Sequence, residues 1–85
     1  MNNVKLIEAA RGVAKAHIEP LGYTFTFKPY KDGVILEARK GKDSSHMECL
    51  SLKGMSEKDA IDYVHCRTHS MAAKIIASKY PNNNE

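Results

Sequence analysis

The stretch YTFTFKPYKDGVILEARK, residues 23–40, decides the fold. Its first part alternates: Tyr23, Phe25 and Phe27 share one side, and Thr24, Thr26 and Lys28 share the other. A period of two in aromatic and β-branched residues predicts a half-buried strand. Val34, Leu36 and Ala38 then alternate against Ile35, Glu37 and Arg39, which predicts a second strand of the same kind. Between them, Asp32-Gly33 predicts a tight turn in which the glycine supplies a positive φ. Strands joined this closely pair antiparallel.

Reading forward, residues 41–45 (Gly41-Lys42-Asp43-Ser44-Ser45) form a second turn signal, and a third strand is expected over His46–Leu52. Leu50 and Leu52 are its inward pair, but Glu48 shares their side, which predicts a bulge or an edge position. Ser56-Glu57-Lys58-Asp59 has the form of a capping box and predicts a helix running to about Lys79. The buried stripe of that helix is Ala60, Ile61, Val64, Thr68, Met71, Ala72 and Ile75. The tail, residues 81–85 (Pro81-Asn82-Asn83-Asn84-Glu85), is polar and expected to be disordered.

Reading backward, residues 3–19 carry a helical period. Leu6, Ala10, Val13 and His17 form one row, Ile7, Ala14 and Ile18 the next, while Lys5, Glu8, Arg11, Lys15 and Glu19 lie opposite. Gly12 costs this helix about 1 kcal/mol relative to alanine, which points to a close approach by a neighbouring element. His17, on the apolar side, reads as a core histidine satisfied by one hydrogen bond. Pro20 and Gly22 close the segment. The fold class is therefore α+β, in the order α-β-β-β-α, with a three-stranded antiparallel sheet and both helices packed on one face. Residues 1–80 form a single domain. The other sheet face, bearing Thr24, Thr26, Tyr30, Ile35, Glu37 and Arg39, is left to solvent or to a partner.

An 85-residue chain that is 42% hydrophobic and 27% charged has room for one modest core. No apolar run approaches the ~20 residues of a membrane span, and the first residues lack a secretory pattern. Two cysteines, Cys49 and Cys66, are too few for a disulfide-built domain, so reduced thiols and a cytoplasmic location are expected. The net charge is +3. Lys28, Lys31, Arg39, Lys40, Lys42 and Lys53 interleave with Asp32, Glu37, Asp43 and Glu48, so the charge permits an acidic partner without demanding one.

Asp62, His65, Cys66 and His69 occupy i, i+3, i+4 and i+7 on the last helix, opposite its apolar stripe. His65 and His69 could share an ion with Asp62, or with His46 or Cys49 of the third strand. Paired C-x-x-C spacing is absent, and His65 and Cys66 diverge by roughly 100° around the axis. No metal site and no cofactor are expected. Cys66 with His69 lacks an oxyanion hole and the helix N-terminus that would activate a thiol, so no catalytic residue is assigned and the chain is read as non-enzymatic. The surface that remains for a partner comprises Lys28, Tyr30, Ile35, Arg39, Lys40 and Lys42 on the hairpins and Asp62, His65 and His69 on the helix.

The element order resembles that of the double-stranded RNA-binding domain over nearly the whole chain. In that family the second helix opens with clustered lysines that grip phosphates. The matching segment here is Ser56-Glu57-Lys58-Asp59-Ala60, in which Lys58 alone matches, and Glu57 and Asp59 would repel phosphate. The resemblance implies a nucleic-acid-binding alternative that would draw on the hairpin lysines, with Tyr30 and Arg39 stacking on bases. In length and compact build the chain is also similar to small phage-encoded inhibitors such as the anti-CRISPR proteins, which implies a protein partner in a host complex. The first reading is a protein-binding module of this type. An open sheet also permits edge-to-edge pairing in a homodimer.

Overall fold

A computed structural model describes residues 3–42 and 44–79. The order is α1 (Asn3–His17), a short 3-10 turn (Glu19–Leu21), β1 (Thr24–Tyr30), β2 (Gly33–Lys40), β3 (Ser44–Ser51) and α2 (Glu57–Lys79). The three strands form one antiparallel sheet in the order β1-β2-β3. This is the expected α+β fold. Residues 81–85 lie outside the described residues.

Each helix owes its place to the period seen in the sequence. On α1, Leu6, Ala10, Val13 and Ala14 are buried, followed by Ile18 just past its end. On α2 the buried row is Ala60, Val64, Thr68, Met71, Ala72 and Ile75, with Ile61 half-buried at its margin. Ser56 caps α2 by accepting a hydrogen bond from the Asp59 amide at 3.1 Å, satisfying one of the orphan donors of the first turn. Thr68, buried in the row, donates its hydroxyl to the Val64 carbonyl at 2.7 Å. Both helices cover the sheet face formed by Phe25, Val34, Leu36, Ala38 and Leu50, with Leu52 just beyond β3 completing the layer.

The helices run side by side in the same direction. Lys5 meets Glu57 at 3.6 Å near their starts, and the ring of His17 lies 5.1 Å from that of His69, twelve residues further along each.

Local details depart from the sequence reading at the β1–β2 turn, at Gly12 and at His17. The β1–β2 turn consists of Lys31 and Asp32, since Tyr30 pairs with Gly33. The positive φ falls on Lys31, at 52°. Gly33 is required for another reason: a Cβ there would collide with the Leu50 carbonyl oxygen. Gly12 meets no neighbour, because a Cβ built on it finds nothing within 4 Å. Strand β3 pairs with β2 without a break from Ser44 to Ser51 and lies at the edge of the sheet, so of the two expectations for Glu48 the edge position holds and the bulge does not. His17 is exposed, because the last turn of α1 lies over an open recess between the helices.

Candidate functional site

The antiparallel register fixes what stands on each side of the sheet. On the outer face Ile35 is flanked by Lys28 and Cys49, and Glu37 by Thr26 and Met47. Arg39 stands between Thr24 and Ser45, and Tyr30 closes the far end opposite Gly33. Met47 is 60% exposed and Tyr30 49%. Both helices lie on the opposite face, so this surface has no cover from the described chain. Met47 and Cys49 were not expected here, because Glu48 blurred the alternation of the third strand.

The hairpin cations do not gather into one patch. Lys31 sits at the β1–β2 turn with its ammonium 5.3 Å from the Tyr30 ring centre. Lys40 and Lys42 lie at the other end of β2, roughly 23 Å away along an eight-residue strand. Lys40 donates to the Leu21 carbonyl at 3.3 Å and lies 5.8 Å from the Tyr23 ring centre. Arg39 donates to Glu37 at 2.8 Å. That hydrogen bond, aided by the Arg39 and Lys28 charges and a bond from Ser45, holds the Glu37 carboxyl below its ordinary value against a smaller opposing effect of desolvation. Lys28 and Lys42 are exposed.

The inner face explains Glu48. It follows Phe27 and Leu36 across the sheet and points toward α2. There Arg67 donates from Nε to Glu48 Oε1 at 2.9 Å, its Nη2 forms an ion pair with the same oxygen at 2.9 Å, and Lys74 approaches Oε2 at 3.5 Å. Oε2 is buried and accepts no hydrogen bond from the described residues. His46 lies on the same face as Glu48 with its ring 5.9 Å from Tyr23, whose hydroxyl shares a 2.8 Å hydrogen bond with Ser44. Cys49 stands on the outer face, away from α2, and His46 is not among the residues that line the recess of the α2 histidines.

On α2, Asp62, His65, Cys66 and His69 are exposed, as the stripe predicted. Asp62 accepts a hydrogen bond from Lys58 at 3.1 Å, which raises the lysine above its ordinary value. His65 and His69 stack edge to face with ring centres 4.8 Å apart. The residue missed from sequence is His17, which joins them from α1. Its signal is the row Leu6, Ala10, Val13, His17, which predicts burial rather than a place at the helix–helix seam.

A recess of about 390 Å³ opens beneath the β1–β2 turn between Leu6, Val34, Leu52 and Met55, with Lys31 and Lys53 in its lining. It is lined by neither histidine, cysteine nor serine. Cys49 and Cys66 are both free and exposed. Among the described residues no helix is long and apolar enough to cross a membrane. No family model, curated protein or solved structure matches this chain.

Proposed function

We propose that this protein is a non-enzymatic binding module that engages a protein partner through the outer face of its sheet. The observation behind this reading is the uncovered surface itself, in which Ile35 stands mid-sheet and Met47 and Tyr30 are strongly exposed. A side chain such as methionine adapts to irregular partner surfaces, and an apolar centre with a polar rim is the usual anatomy of an interface. Lys28, Thr24, Thr26, Arg39 and Ser45 supply such a rim here. Occlusion of a site on a larger complex is the mode that fits a rigid face on so small a chain.

The nucleic-acid alternative has weaker support. Its cations are split between the two ends of the hairpins, and Arg39 is engaged by Glu37. Phosphate binding draws on several cations acting together and falls steeply with salt.

Affinity capture from the source cells, followed by nuclease treatment and a salt series, tests the proposal. The wild-type chain is expected to retain a protein partner after nuclease and at high salt. The double variant Ile35→Glu/Met47→Glu is expected to lose it while keeping its helical circular dichroism. Capture that vanishes with nuclease, or an identical partner on both chains, would overturn the reading.

A further inference from the structure

The helix pair gathers three imidazoles at one place. His65 and His69, one turn apart on α2, have ring centres 4.8 Å apart, and His17 of α1 lies 5.1 Å from His69 across the seam. All three line the same recess of about 330 Å³, and all three side chains are exposed. Two imidazoles that share one tetrahedral ion each hold it at about 2.0–2.1 Å, which places their ring centres roughly 5 Å apart. Both observed spacings match that value. With the rings as they stand, no group of three or more His, Cys, Asp or Glu side chains among the described residues is set to hold a metal ion. Ligation therefore requires the exposed rings to turn about their side-chain bonds, a motion of picoseconds to nanoseconds.

We propose that His17, His65 and His69 form a transition-metal site that bridges α1 and α2, with water completing the coordination. Imidazole donors suit Zn²⁺, Cu²⁺ and Ni²⁺ and disfavour Mg²⁺ and Ca²⁺. Cys66 is not part of the recess lining, and Asp62 is occupied by Lys58. His69, central to both ring contacts, is the indispensable ligand, and His17 makes the site a bridge rather than a clip on one helix. The inference is independent of the outer sheet face.

The test is a Zn²⁺ titration of the full chain carrying Cys49→Ser and Cys66→Ser, which removes competing thiols. Calorimetry is expected to show one ion per chain, and the melting temperature is expected to rise by about 5 °C or more in excess Zn²⁺ and to fall back with EDTA. His69→Ala is expected to abolish binding, and His17→Ala or His65→Ala to weaken it by about tenfold or more. The three side chains are exposed, so the variants should fold, and far-ultraviolet circular dichroism checks that they do. Absence of a stoichiometric Zn²⁺ heat would overturn the proposal. So would a His17→Ala chain that binds as tightly as its parent, since the site would then not bridge the helices.

Discussion

Arg67→Ala is expected to destabilise the fold more than removal of the acid it serves. Arg67 places two nitrogens on one oxygen of Glu48, each at 2.9 Å, while the other oxygen is buried and has only Lys74 at 3.5 Å. The Glu48 side chain is 15% exposed and that of Arg67 35%. Breaking a fully buried pair by removing one partner costs about 3–5 kcal/mol. With the arginine a third exposed and Lys74 still in place, that range falls to about 2 kcal/mol for Arg67→Ala. For a domain of this length such a loss lowers the melting temperature by about 8–16 °C. Glu48→Leu should cost less than about 1 kcal/mol, because Arg67 and Lys74 reach water and the leucine packs beside Leu36. Thermal and urea unfolding followed by circular dichroism at pH 7 gives both values. A loss for Arg67→Ala equal to or smaller than that for Glu48→Leu would refute the argument that the buried carboxylate is the costly partner.

The two contrasting glycines give opposite signs. Gly12→Ala should stabilise by about 0.5–1 kcal/mol, because nothing meets the added methyl in the helix. Gly33→Ala should cost about 2 kcal/mol or more, since the backbone of β2 or β3 must shift to clear the Leu50 carbonyl; chemical denaturation measures both. Ser56→Ala removes the cap of α2 and should cost about 1 kcal/mol, read from the same unfolding curves. Carboxyl-carbon NMR should find Glu37 titrating below the ordinary 4.5, and Arg39→Ala should raise it back toward that value. Because the folded carboxyl is depressed, the stability it contributes is present above the unfolded value and is lost as pH falls through the folded one.

Most of the fold was legible because its strands and helices repeat with clean periods. Tyr23 to Ala38 alternate on a sheet with one wet face, and Ala60 to Ile75 recur at helical spacing, so each pattern admits one placement. The misreadings share a cause: a single residue type answers to more than one physical demand. A glycine in a turn suggests positive φ, yet Gly33 serves a close approach and Lys31 carries the strain. Glu48 on an apolar face predicts a bulge or an edge position; β3 is an edge strand, and the partners of the carboxylate come from a helix nineteen and more residues away. The candidate outer face was legible in β1 and β2 but not in β3 for that reason. His17 could not be joined to His69 from sequence, since their meeting depends on the relative direction of two helices.

That shared direction also sets the order in which the molecule can assemble. The residues that meet across the helix seam are 52 positions apart in both Lys5–Glu57 and His17–His69. Closing a loop of that length carries an entropy cost of about 3.5 kcal/mol beyond the constant for any loop. The β-hairpins close over only a few residues and can form early. The side of α1 that faces α2 is therefore synthesised first and covered last. A nascent chain must carry Lys5, Val13 and His17 without their α2 neighbours until most of α2 has been made.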